Sequence, residues 1–160
     1  MNESSIFNNS SVSNIPLFRT DIIMSIVEGR GKAKCEIGLA YIDLCSTILN
    51  LAQFRDNACF DALKLKLYVC CPVEVIFPDT FAQNNLMVTS IIENFPKITF
   101  KYVERRFFNE SIGRDAVKAL AYQEYRWMDI ELDSKYYSLS AAAALIEYLR
   151  SRKNVSKFTF

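Results

Sequence analysis

The sequence predicts an α/β domain: a mixed sheet opened by a three-stranded antiparallel meander, continued by alternating α and β elements, flanked by helices and followed by a long trailing helix. Three observations predict it. Over the first third of the chain, β-branched and aromatic residues gather in short runs separated by Gly, Asn and Asp, as strands joined by turns do. From Asp56 onward such runs alternate with stretches whose apolar residues recur every three to four positions, the period of a half-buried helix. Of the 160 residues, 51% are apolar and 23% charged, which places the chain far from compositions that stay unfolded and gives it a real core.

Residues 1–20 are rich in Ser and Asn and carry no period, so they bury too little to offset ordering and are expected to form a disordered tail. Ile22 to Val27 is a β-branched run, Glu28 to Lys34 holds two glycines, and Cys35 to Asp43 resumes with Ile37, Leu39 and Tyr41. That is a strand, a turn and a second strand. Thr47 to Phe54 follows closely enough to complete an antiparallel meander. Asp56 can cap a helix running to Cys70, with Cys59, Leu63, Leu67 and Cys70 at helical spacing and Asp61, Lys64 and Lys66 left for solvent. Pro72 ends it.

Val73 to Phe77 reads as a short buried strand, and Thr80 with Gln83 fits a capping box that would start a helix with Met87, Val88, Ile91 and Ile92 as its core stripe. Pro96 stops that helix. Lys97 to Arg105 alternates, with Ile98, Phe100 and Tyr102 on one face, and makes a fifth strand. Two more helices are expected, from Ile112 to about Tyr125 and from Ser134 to about Arg152. The order βββαβαβα with a trailing helix is an RNase H-like arrangement.

Nineteen Lys and Arg against eighteen Asp and Glu leave a net charge of +1, so no global field draws in nucleic acid, anionic membrane or acidic substrate. Any nucleic-acid contact must be local. The five cysteines show no C-x-x-C spacing and fall mostly at apolar positions, which reads as reduced, intracellular and structural. Without histidine or a cysteine quartet, no usual zinc ligand set is present. No apolar run approaches the roughly 20 residues that span a bilayer, and the start lacks a basic segment before an apolar stretch, so neither membrane association nor secretion is expected. The sequons at Asn109 and Asn154 are then chance matches.

Several stretches, in order, resemble the connector domain of the MutS family. Val27 to Gly31 with Cys35 to Leu44 resembles its first hairpin, Ala52 to Asp56 its third strand and helix cap, and Cys71-Pro72-Val73-Glu74-Val75-Ile76 its fourth strand. Arg106 to Glu110 with Gly113 resembles a segment of the meiotic, fourth eukaryotic branch, and Ser134 to Tyr137 with Ala141 to Leu145 resembles the helix that enters the family's core (lever) domain. The resemblance covers Asp21 to Phe160. It implies a connector at 21–132, a truncated start of the core domain at 133–160, and a chain that is an N-terminal fragment. Because only some twenty residues precede the connector, the mismatch-recognition domain of repair members is expected to be lacking, as in the meiotic branch. The resemblance further implies a nuclear, chromosomal clamp on branched DNA that pairs with the fifth-type homologue and with MutL-type proteins. ATP and Mg would belong to an ATPase outside this chain, and no cofactor is expected within it.

Residue by residue, the chemistry is sparse. Gly29-Arg30-Gly31-Lys32 superficially resembles a phosphate loop but lacks the G-x-x-x-x-G-K-[ST] spacing, with Ile26 and Ala33 at the flanking positions. A hairpin turn with glycines at positive φ explains it. Arg30, Lys32 and Lys34 in that turn are the candidate phosphate contacts, able to touch a backbone without reading sequence. Lys101, Arg105 and Arg106 lie among Tyr102, Phe107 and Phe108, a mixture found on nucleic-acid surfaces, although in an alternating strand such aromatics are more often core. A free-standing RNase H-like domain with nucleic-acid binding or nuclease activity is the alternative function, and nuclease activity needs clustered carboxylates. Glu28, Asp43, Glu74 and Asp79 sit near strand ends, but the first strand's centre carries no acid. No catalytic residue is assigned, and with no histidine the cysteines lack their usual base. Tyr137, Ala141, Ala144, Leu145 and Tyr148 of the trailing helix form a stripe expected to stand uncovered.

Overall fold

The computed structural model describes residues 21–46, 48–121 and 128–152, so the expected tail, Thr47 and the far end of the helix expected from Ile112 to about Tyr125 lie outside the described residues. The chain runs β1 (Ile22–Glu28), β2 (Glu36–Asp43), β3 (Leu49–Arg55), α1 (Asp61–Cys70), β4 (Glu74–Pro78), α2 (Leu86–Asn94), β5 (Thr99–Val103), α3 (Glu110–Leu120), α4 (Met128–Asp133) and α5 (Tyr136–Ser151). The five strands form one sheet in the order β3-β2-β1-β4-β5. The meander is antiparallel, while β4 and β5 run parallel to β1. This is the mixed, RNase H-like layout the element order predicted.

Every residue of β1 is buried, as suits a central strand with neighbours on both edges and helices on both faces. Directly paired residues share a face. Val27 pairs with Gly38, Ser25 with Ala40, and Gly38 with Gln53, which puts a patch of small side chains at Ser25, Ala40 and Gly38 on one face. Met24 pairs with Tyr41 and with Val75, Ile26 with Leu39, and Val75 with Phe100, which gives the other face large ones. Leu63 and Leu67 of α1 and Met87 and Ile91 of α2 join that large-residue core, and Lys66 of α1 lies 5.1 Å above the Tyr41 ring.

The small face is covered by α5, which packs on β1, β2 and β3 and against α3. A Cβ on Gly38 would sit 2.2 Å from the Tyr137 carbonyl carbon, and one on Gly113 of α3 would sit 1.9 Å from the Leu139 oxygen. At both places backbone meets backbone, which only glycine allows. With small residues on either side, nearly the whole circumference of α5 is enclosed: Ser138 to Ile146 and Leu149 are buried, as in a helix inside a core. Ala141, Ala144 and Leu145 are 0% exposed, so the stripe expected to stand uncovered is covered by the sheet and α3. The helix expected to open a second domain at residue 133 lies inside the same hydrophobic core as β1 and β4.

Gln53 explains how α5 begins. The helix has no capping side chain of its own at Lys135. Instead the Gln53 carbonyl oxygen accepts from Tyr137 N (2.8 Å) and Ser138 N (3.2 Å), and its amide donates to Glu36 Oε1 (2.9 Å) and the Ser134 carbonyl (3.1 Å). A strand side chain thus satisfies two of the orphan donors of a helix start.

Other starts differ from the sequence reading. α1 begins at Asp61 because Phe60 turns into the left-handed region, φ 58°, and drops into the core. Asp56 caps it from upstream all the same, with Oδ1 accepting from Ala62 N (3.1 Å) and Oδ2 from Leu63 N (2.8 Å). The Thr80 capping box does not form. One 3-10 turn, Asp79–Phe81, is followed by a break at Asn84 (φ 55°), and α2 starts under Asn85, whose Oδ1 accepts from Val88 N at 3.0 Å. Asn is the stronger cap. Ile92 is on the solvent side, 39% exposed. β5 starts only at Thr99 because its partner β4 starts at Glu74. Cys45, Cys59 and Cys71 are exposed and Cys35 and Cys70 half-buried, and of the five Cys70 packs against the hydrophobic core. No described helix is long and apolar enough to cross a membrane.

Candidate functional site

Three parallel strands, β1, β4 and β5, end on the same side of the sheet, and the loops that follow them gather there. Open α/β sheets bind their ligands at that end. The β1–β2 turn is held by Gly29 N donating to the Glu36 carbonyl (2.8 Å) and by Cys35 N donating to Glu28 Oε1 (3.1 Å). Of its two glycines only Gly31 has positive φ, at the start of the 3-10 turn Gly31–Ala33.

The three candidate cations of this turn part company. Arg30 reaches to the β4–α2 loop and donates from Nη2 to Thr80 Oγ1 at 3.0 Å. Beside it lies a cleft of about 250 Å³ whose wall includes Glu28, Thr80, Gln83 and Asn84. Lys34 borders a neighbouring cleft of about 220 Å³ with Cys35, Phe60 and Asn85. Lys32 is exposed and borders neither cleft.

Arg105 joins this end, although the sequence reading left it among core aromatics. Its backbone N donates to Asp79 Oδ1 (3.0 Å) and its Nη1 to the Phe108 carbonyl (2.9 Å), with the guanidinium 5.7 Å from the Phe108 ring. Burial, and next the charge of Arg30, push its pKa down, while Tyr136, Asp79 and Tyr137 act the other way. It remains cationic at neutral pH, as arginine does. No local pattern links Arg30 to Arg105, since only the parallel register of β1, β4 and β5 brings the two loops together. Arg106, by contrast, spends its charge on Glu104, with Nε 2.9 Å from Oε2, on an exposed surface.

The four strand-end carboxylates divide between opposite ends of the sheet. Glu28 and Asp79 follow the cation-bearing end, whereas Asp43 and Glu74 lie across from Ile22 and Ile23 at the far end, separated by a seven-residue strand, about 20 Å at ~3.3 Å per residue. Each has its own donor: Glu28 holds Cys35 N, Asp79 holds Arg105 N, Asp43 holds Cys45 N at 2.9 Å, and Glu74 accepts from Tyr148 Oη and, at 2.6 Å, from Arg152 Nη1. Among the described residues no three His, Cys, Asp or Glu side chains converge on a metal-sized site.

The family model of MutS domain II matches residues 21–156. The chain belongs to the MutS family. It is a copy of that family's domain II, the connector. Over 136 residues it is 39% identical to MutS protein homolog 4 of Mus musculus, covering 83% of this chain and 14% of that protein. Over 148 residues it is 36% identical to MutS protein homolog 4 of Homo sapiens, covering 91% and 16%. DNA mismatch repair protein MSH2 of Arabidopsis thaliana is 27% identical over 163 residues, covering 98% and 17%. The chain spans about one-sixth of the length of these relatives. The stretches that resemble the connector occupy structural joints: the first hairpin carries Gly38 under α5, Gln53 caps α5, and Glu74 receives Tyr148 and Arg152.

Proposed function

We propose that this chain is the connector of a MutS-type DNA clamp, a non-enzymatic module that carries conformational signals between DNA-binding and ATPase parts. The observation that carries the reading is the match to MutS domain II across residues 21–156, joined to 39% identity with a MutS protein homolog 4. The structure supplies a mechanical basis. α5 is locked at its start by Gln53 and at its end by the Glu74, Tyr148 and Arg152 contacts, so a displacement of the chain after Arg152 passes to the whole sheet. Packed interiors transmit such strain because they are not continuously deformable.

Identity to the homolog 4 proteins supports a role for the whole protein in meiotic recombination on branched DNA, in the nucleus and on chromosomes, with the fifth-type homologue as heterodimer partner and MutL-type proteins as further partners. ATP and Mg would serve the ATPase part of such a protein. DNA contact by the chain alone would be weak, independent of sequence and sensitive to salt, resting on the turn cations Arg30, Lys32 and Lys34. Two experiments test the reading. The gene beyond the codon for Phe160 is expected to encode the clamp and a Walker A motif, and a stop codon there overturns the assignment. Purified chain with Mg or Mn is expected to leave DNA and RNA intact. Cleavage abolished by Glu28→Gln or Asp79→Asn restores the nuclease alternative.

A further inference from the structure

We propose that the cleft between the β1–β2 turn and the β4–α2 loop seats one phosphate group of a nucleic-acid backbone, gripped by Arg30, Thr80 and the carboxamides of Gln83 and Asn84. The inference deepens the reading of the chain as part of a DNA clamp and rests on it. It differs from a turn of three interchangeable cations, because only Arg30 combines with residues of another loop.

The grip follows from the donors. Arg30 spends one guanidinium N–H on Thr80 Oγ1, which fixes the direction of the side chain and leaves other N–H groups of its fork available. Since Thr80 accepts that bond, its hydroxyl proton is left to donate. Gln83 and Asn84 are exposed at the rim, and each amide carries two further donors. Donors arriving from a guanidinium, a hydroxyl and amides on different walls suit an anion with oxygens in several directions, as phosphate has. The one anionic element of the wall, Glu28, is 9% exposed and holds Cys35 N.

Electrostatics point the same way. Arg30 and Arg105 are held near enough for the charge of the first to depress the pKa of the second, and an anion beside Arg30 relieves that repulsion. Asp79 offsets the pair only in part, since its pull on Arg105 is smaller than the push from Arg30. Phe81, the aromatic of this wall, is buried, so no ring is offered for base stacking. Such a contact sets register on a backbone and reads no sequence.

The test uses the full chain, labelled with ¹⁵N, and three probes at low salt: a short DNA duplex, inorganic phosphate and an acidic peptide. With duplex, the amide signals of Thr80, Gln83 and Asn84 and the Arg30 Nε signal are expected to shift together. Phosphate is expected to move the same signals at higher concentration. Arg30→Ala is expected to weaken duplex binding by about tenfold, the loss of one charged hydrogen-bonded contact, and to lower the salt slope by about one unit. Thr80→Val should weaken it less, and Lys32→Ala hardly at all, with circular dichroism confirming that each variant is folded. Equal losses for Lys32→Ala and Arg30→Ala, shifts confined to the turn, or no shift with any probe would overturn the proposal. So would shifts that the acidic peptide produces and the duplex does not. None of these outcomes bears on the gene beyond Phe160, so the connector reading can stand while this contact fails.

Discussion

On the α5 side of the sheet, the pairs across β1 and β2 run from Ile23 with Ile42 to the small Ser25 with Ala40 and Val27 with Gly38; on the α1 and α2 side they include Met24 with Tyr41 and Ile26 with Leu39. The two faces are covered by different physics. Small residues admit α5 to backbone contact, where position is set by atoms that have no rotamers to adjust. Large residues hold α1 and α2 through interlocking side chains, which can re-pack around a loss. The outer sides differ as well: α5 is enclosed by α3, whereas Leu65, Tyr68 and Val69 of α1 are 63–74% exposed. The small face should therefore be brittle and the large face tolerant.

The strongest way to break this comparison is to remove α5. Ending the chain at Asp133 strips the cover from Ile23, Ser25, Val27, Gly38 and Ala40, and deletes Leu139, Leu145 and Leu149 from the core. The truncated chain is expected to lose its cooperative thermal transition by circular dichroism and to bind a hydrophobic dye. A sharp transition in the shortened chain would mean that the sheet stands without its small face covered.

Next in size is a single methyl-bearing change on each face. Gly38→Val places a side chain 2.2 Å from the Tyr137 backbone, where nothing flexible can yield, and is expected to cost about 3 kcal/mol or more. Ile26→Val, on the large face at 0% exposure, is expected to cost about 1 kcal/mol. Urea midpoints at unchanged slope measure both. Equal costs would show that α5 can lift off the sheet as easily as α1 and α2 re-pack.

How legible each region was follows the same division. Strands β1 to β5, α1 and α2 could be read because large apolar residues show their period, and even the misplaced starts are local contests, Asn85 over Thr80 and Phe60 over Asp56. The place of α5 could not be read. A helix of Ala and Ser gives a weak apolar signal, and the glycines that receive it, Gly38 and Gly113, carry no side chain to announce a contact. At the candidate site, the turn cations were visible in sequence, while the meeting of Arg105 and Thr80 with Arg30 was not, because the parallel register that brings them together is a tertiary fact.

A smaller effect sharpens the picture of how α5 is fastened. Gln53→Ala removes the acceptor for Tyr137 N and Ser138 N, and Lys135 at the start of α5 makes no side-chain cap bond of its own. The expected cost is about 1–2 kcal/mol, that of a lost helix cap. Hydrogen exchange should speed up in the first turn of α5 and remain slow through Leu145. Uniform acceleration along the helix would place the fastening elsewhere.

The smallest expected effect concerns the other end of α5, and its pH dependence falls in alkali. Tyr148 is half-buried, donates to Glu74, and has Arg152 5.7 Å from its ring. Burial disfavours its phenolate first, and the Glu74 hydrogen bond and charge disfavour it further, against a smaller opposing pull from Arg152; together they push its pKa from 10.0 up to about 12. The folded state thus holds the phenolic proton more tightly than the unfolded chain does. Its contribution to stability is whole below pH 10 and is lost as the pH climbs through about 12. Tyr148→Phe is expected to cost about 1 kcal/mol at neutral pH, for one hydrogen bond, and to flatten the alkaline fall of the urea midpoint, since no phenol is left there to ionise. The wild-type chain should also show one tyrosine whose phenolate absorption lags behind the others. If the variant and the wild type lose stability in parallel between pH 10 and about 12, Tyr148 ionises as freely as an exposed tyrosine. The end of α5 would then be held by Arg152 and Glu74 alone.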